Sequence, residues 1–131
     1  MNQPPGPFTV AQLIDRLRGY RLPVSSELRF QEGVAEVLTR LGEPYQPERQ
    51  LFSAAGVRLG RIDFYLPIRR VGLELKVKGS PSDVTRQLLR YTQSPAIDEL
   101  ALVTWRRELG RLPTTLGGKP LHVVACWKGG L

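Results

Sequence analysis

The chain has 131 residues with 41% hydrophobic and 24% charged side chains, a balance that supports one folded domain and excludes wholesale disorder. No apolar run approaches the roughly 18 residues that cross a bilayer, and Met1 to Pro7 lacks the basic-then-apolar pattern of an export signal, so a soluble, cytoplasmic protein with no membrane partner is expected. Nineteen Lys and Arg against 12 Asp and Glu leave a formal charge of +7, which favours a polyanionic partner; a single Cys126 and a single His122 exclude disulfide frameworks, Cys/His zinc sites and Cys-His nucleophilic chemistry.

Residues 1 to 8 hold three of the 11 prolines and predict an irregular arm. Thr9 and Gln12 form a capping box, and Val10, Leu13, Ile14 and Leu17 share one stripe of a short helix ended by Gly19 and Pro23. A second helix is expected from about Ser26 to Leu41, with Phe30, Val34, Val37, Leu38 and Leu41 inward and Gly42 as the stop. The period then changes: Tyr45 to Phe52, Arg61 to Leu66 and Val71 to Lys78 predict three strands. Ser80 caps a helix that opens at Pro81, carries Val84, Leu88 and Tyr91 on one face and breaks at Ser94-Pro95. Leu100 to Trp105 and His122 to Trp127 predict two more strands, joined by a loop with Pro113 and Gly117-Gly118. The order gives an α/β (α+β) fold, a mixed β-sheet flanked by helices. In domain terms, residues 1–24 are an arm and short helix and residues 25–131 one domain.

Chemistry concentrates between Arg61 and Lys78. Alternation along the third strand places Glu74, Lys76 and Lys78 on one face and Leu73, Leu75 and Val77 on the other, an ionic front with an apolar back. Asp63 lies on the preceding strand with Ile62 and Phe64 expected to point the opposite way, and the Pro67 to Arg70 turn folds Asp63 beside Glu74. Two carboxylates so close repel, and a hard cation with oxygen ligands, Mg²⁺ or Mn²⁺, relieves the repulsion. Lys76 can then orient an attacking water or stabilise charge growing on a phosphate. Glu-x-Lys spacing alone is weak, with about 0.4 chance matches expected in such a chain, so placement on a hairpin carries the weight.

Asp63, Glu74 and Lys76 in this order resemble the PD-(D/E)XK nuclease superfamily, although Ile62 stands where that family has a Pro. Gln87-Leu-Leu-Arg-Tyr91 is similar to the Gln-x-x-x-Tyr element of its RecB-like branch, and the resemblance spans roughly residues 26 to 105. It implies a restriction-endonuclease-like fold and a metal-dependent nuclease, with DNA the expected substrate. Asp63, Glu74 and the Leu75 carbonyl would hold the metal, and Gln87 and Tyr91 would flank metal and DNA. It also implies a helix acid. At 100° per residue Glu27 falls about 20° from Val34 at the centre of the buried stripe and Glu32 about 160°, so facing favours Glu27, while sequence distance to the motif favours Glu32. Gln31, near the inner face, could partly replace the acid.

Arg58, Arg61, Arg86, Arg90 and Lys78 surround the motif in sequence and suit phosphate contacts that position a nucleic acid without reading bases. Trp105 and Trp127 are expected as core or rim aromatics. A homodimer is an expectation by analogy with small nucleases that cut two strands. The rival reading is a catalytically inactive nucleic-acid-binding or assembly module on the same fold.

Overall fold

A computed structural model of the chain describes residues 8–20, 22–23 and 25–126, so the arm before Phe8 and Trp127 lie outside the described residues. Within them are α1 (Val10–Arg18), α2 (Glu27–Arg40), β1 (Gln46–Phe52), β2 (Arg58–Leu66), β3 (Val71–Lys76), α3 (Pro81–Tyr91), β4 (Glu99–Thr104), a 3₁₀ turn (Arg107–Arg111), β5 (Thr115–Leu116) and β6 (Lys119–Ala125). No helix among them is long and apolar enough to cross a membrane.

The helix ends follow from local chemistry. At α1 the Thr9 hydroxyl accepts the Gln12 N–H at 3.1 Å while Gln12 Oε1 accepts the Thr9 N–H at 2.9 Å, satisfying two donors that have no partner inside the helix. Ser26 and Ser80 cap α2 and α3 in the same way, accepting from Arg29 and Asp83. After α2, Gly42 takes φ +71, and the Glu43 N–H returns to the Leu38 carbonyl at 2.9 Å.

The sheet has the order β1-β2-β3-β4-β6-β5. The β1-β2-β3 meander is antiparallel, β3, β4 and β6 are parallel, and β5 closes antiparallel on β6. The sheet is therefore mixed and flanked by helices, as the alternation of patterns predicts.

Helices cover both faces. Leu13, Ile14 and Leu17 of α1 and Phe30, Val34, Val37 and Leu38 of α2 pack with Leu73, Leu75, Ala101 and Val103. Val84, Leu88 and Tyr91 of α3 pack with Ile62, Tyr65, Ile97, Leu100 and Leu102 on the other face. At roughly 1.5–3 kcal/mol for each large apolar side chain fully buried, these two layers are the main stabilisation.

Both faces of β3 are covered, including the one that carries Glu74. Val71, Gly72, Leu73, Glu74 and Leu75 are all buried, because the parallel crossover from β3 through α3 to β4 lays a helix over the face that carries Glu74. Strand β3 also stops at Lys76 rather than Lys78, where pairing with β4 ends at Thr104 and the chain turns through Gly79 at φ +114. Lys78 consequently lies outside the strand and exposed.

The expected facing of Ile62 and Phe64 is corrected too. Phe64 packs on the α1-α2 side with Tyr45 edge-on at 5.4 Å, whereas Ile62 packs on the α3 side. Strict alternation breaks across Asp63, at the level where the neighbouring Glu48 on β1 takes φ +51 and drops out of the β1-β2 ladder.

At the far end of the β2-β3 hairpin, Arg69 in the turn pairs with Glu43 just after α2, Nε to Oε1 at 2.8 Å, with both side chains buried. That contact ties the hairpin tip to the end of α2.

Candidate metal and nucleic-acid site

The paired register of β2 and β3 runs through Leu66↔Val71, Tyr65↔Gly72 and Phe64↔Leu73 and stops there. Beyond it two backbone N–H groups bind carboxyls of the facing strand instead. The Asp63 N–H donates to Glu74 Oε1 at 3.1 Å, and the Leu75 N–H donates to Asp63 Oδ2 at 2.8 Å. Each carboxyl is thus held by the backbone of the opposite strand, and the strands part around two acids. In an extended strand the N–H and C=O of one residue point to the same neighbour, so the Leu75 carbonyl is also on the β2 side.

The electrostatics follow from burial. Glu74 is 3% exposed, and loss of water, reinforced by the Asp63 charge, pushes its carboxyl up to about 8. Burial also raises Asp63, against the Leu75 N–H, the Glu74 hydrogen bond and Lys76, which all favour its charged form. Each carboxyl acts on the other in the direction that lowers Asp63 and raises Glu74, which favours the proton on Glu74. The Lys76 ammonium lies 3.4 Å from Glu74 Oε2 and supplies the nearest positive charge.

The donor set fits a hard divalent cation. Two carboxylates held at one opening and uncomfortable as a charged pair are oxygen ligands that gain from an added cation. Among the described residues no group of three or more His, Cys, Asp or Glu is gathered to hold a metal. Mg²⁺ is commonly bound by one or two carboxylates with water and substrate phosphate completing its shell, and Asp63 and Glu74 supply that number of carboxylates.

Among the helix residues, Glu27 is the first residue of α2 and exposed, and its charge is near enough to Asp63 to add to the upward push on that carboxyl. Glu32 is also exposed but lines an outer groove with Tyr20, Pro23, Arg29, Gly33 and Glu36. Gln31 is half-buried.

Gln87 and Tyr91 turn toward the protein. Tyr91 is 1% exposed; its hydroxyl donates to the Arg61 carbonyl at 3.0 Å and accepts from Gln87 Nε2 at 3.0 Å. Burial, with the nearby Glu74 charge, pushes the phenol up to about 12, so it stays a donor. Where the expectation has Tyr91 beside nucleic acid, the structure places its ring over β2. A Cβ at Gly60, which has φ +137, would stand 3.0 Å from the Tyr91 ring, so glycine permits this approach.

Of the expected phosphate contacts, Lys78, Arg61, Arg86, Arg90 and Arg58 are all exposed. Arg86 pairs with Asp83 on its own helix, Arg90 Nε donates to the Leu59 carbonyl at 3.4 Å, and Arg61 lies 4.0 Å from Glu48.

Thr104 and Arg106 were missed by sequence reading. The fully buried Thr104 hydroxyl donates to the Lys76 carbonyl at 2.7 Å and accepts the Arg106 N–H at 3.0 Å, while Arg106 Nη1 donates to the Gly79 carbonyl at 3.1 Å. These bonds fix the backbone just beyond the lysine. Pairing across 28 residues leaves no local sequence signal.

Comparison with family models, with curated proteins and with solved structures finds no match.

Proposed function

We propose that the protein is a metal-dependent nuclease that hydrolyses phosphodiester bonds, with DNA as its substrate. The supporting observation is the parting of β2 and β3 around Asp63 and Glu74, each carboxyl held by the other strand's backbone, with Lys76 at 3.4 Å from Glu74. Asp63, Glu74 and the Leu75 carbonyl would hold Mg²⁺ or Mn²⁺. When bound, such an ion polarises a phosphoryl oxygen and makes a water more acidic.

The chain's own groups divide the remaining work. The Leu75 N–H fixes the rotamer of Asp63, and the Asp63 N–H fixes Glu74, so both acids are set before substrate arrives. Lys76 presents ammonium donors beside the pair, where a water oxygen would form its new bond to phosphorus as the opposite ester P–O bond breaks in line. Gln87 and Tyr91 hold the β2 backbone two residues before Asp63 and so position it. Arg61, Arg86, Arg90 and Lys78 would hold phosphates on either side.

Lys76→Ala lowers turnover by about 10²–10³-fold, the usual loss for one preorganised donor, with DNA affinity nearly unchanged. Lys78→Ala instead weakens DNA binding and flattens its salt dependence. Single-turnover cleavage and anisotropy titration of both variants check this division, and the reverse pattern would exchange the two roles.

Glu27→Gln lowers cleavage without loss of fold, because Glu27 is the α2 acid whose charge reaches Asp63. Glu32→Gln keeps near-normal activity, an exposed change that moves stability by about 0.5 kcal/mol or less. Parallel nicking assays and thermal melts of the two variants decide the assignment.

A further inference from the structure

Among the described residues, the apolar clusters cover the β1-β2 arm on one face only. On the α3 side Leu51 and Leu59 are buried and Arg49 stacks over the Tyr65 ring at 4.2 Å. On the other side the apolar layer under α1 and α2 reaches β2 at Phe64 and Leu66 but takes in no residue between Gln46 and Asp63. What the arm presents there is a connected strip. Phe52 pairs across the strands with Arg58, Arg58 Nε donates to Gln50 Oε1 at 2.8 Å, and Gln50 pairs with Arg61. All four are exposed, and Phe52 keeps 49% of its surface in water.

We infer that this strip is a track for single-stranded nucleic acid, with Phe52 stacking a base and Arg58 and Arg61 holding the phosphates that lead toward Asp63. At about 3.3 Å per residue, Arg58 and Arg61 stand roughly 10 Å apart, and Asp63 follows about 7 Å further on. An acidic neighbour of the strip, Glu48, stands 4.0 Å from Arg61. An exposed aromatic ring beside arginines suits an unstacked base, whereas a duplex hides its base faces within the stack. The inference rests on the nuclease reading only for where the strand leads.

Binding is measured by anisotropy with a labelled oligo-dT strand of about 20 nucleotides and with a duplex of equal length, in EDTA so that nothing is cut. The single strand binds more tightly. Phe52→Ala weakens it about 5- to 100-fold, and Phe52→Trp restores it. Arg58→Gln and Arg61→Gln each flatten the slope of log affinity against log salt by about 0.7. Thermal melts establish that the variants are folded.

Equal affinity of Phe52→Ala and wild type for the single strand would overturn the track. So would a Phe52→Ala variant whose only defect is loss of self-association in sedimentation, which would make the strip a contact between two copies. Phe52-dependent binding without cleavage in Mg²⁺ would uphold the track and defeat the nuclease reading, and cleavage with Phe52-independent binding would do the reverse.

Discussion

Asp63→Asn lowers metal-dependent cleavage by about 10³-fold or more while leaving the fold in place. The side chain occupies the parting of β2 and β3, where its Oδ2 accepts the Leu75 N–H at 2.8 Å, and asparagine keeps an acceptor there. What it loses is the carboxylate charge that, with the proton favoured on Glu74, does most to attract a divalent ion. A bound metal contributes several kcal/mol of transition-state stabilisation, and at 1.36 kcal/mol per decade that corresponds to about 10³ or more in rate. Calorimetric titration with Mn²⁺ reads the loss of affinity separately from turnover. Unchanged affinity and unchanged cleavage would remove Asp63 from the site.

Glu74→Gln makes the protein more stable at pH 8 and removes much of a pH dependence that wild type shows. A carboxyl raised from 4.5 to about 8 binds more protons in the folded chain than in the unfolded chain between those values. Wild-type stability therefore falls as pH rises through that window, and Asp63, also raised, adds in the same direction. The whole effect of Glu74 is on the order of 5 kcal/mol, and for a chain of this length each kcal/mol moves Tm by about 3–4 °C. Glutamine resembles the protonated carboxyl, with an oxygen for the Asp63 N–H and donors for the Asp63 carboxylate. Mg²⁺ or Mn²⁺ should raise the wild-type Tm more at pH 8 than at pH 5, and should do little for Glu74→Gln. Melting curves across this range check the sign; a wild-type Tm that climbs steadily from pH 5 to pH 8 would contradict it.

The parts of this molecule that were legible in its sequence are those encoded locally. Thr9 with Gln12, Ser26 and Ser80 mark helix starts by hydrogen bonds within three residues. The neighbourhood of Asp63 and Glu74 follows from a hairpin whose turn lies at Pro67 to Arg70. Strand alternation misplaced Ile62 because a backbone irregularity at the level of Glu48 puts Ile62 and Phe64 on opposite faces. The same alternation put Glu74 on an ionic face, and a period of two assigns a residue to a face but does not say whether a helix covers that face.

Longer-range features left weaker traces. The bonds from Thr104 to Lys76 and from Arg69 to Glu43 cross 28 and 26 residues and depend on topology, not spacing. The 3₁₀ turn at Arg107–Arg111 and the two-residue β5 are too short to build a periodic pattern. Tyr91 lies at a helical spacing that serves packing and chemistry alike, and only the 3.0 Å bond to the Arg61 carbonyl separates positioning from contact with substrate.

Conversion of supercoiled plasmid DNA to nicked or linear forms, followed with Mg²⁺, with Mn²⁺ and with EDTA, in wild type beside Asp63→Asn and Lys76→Ala, tests the nuclease assignment most directly. Cleavage by wild type with either metal, abolished by EDTA and by both substitutions, is the outcome expected of the paired carboxylates and their lysine. Salt-sensitive DNA binding by all three proteins with no nicking under any metal condition would contradict it, and would make the chain a nucleic-acid-binding module on this fold.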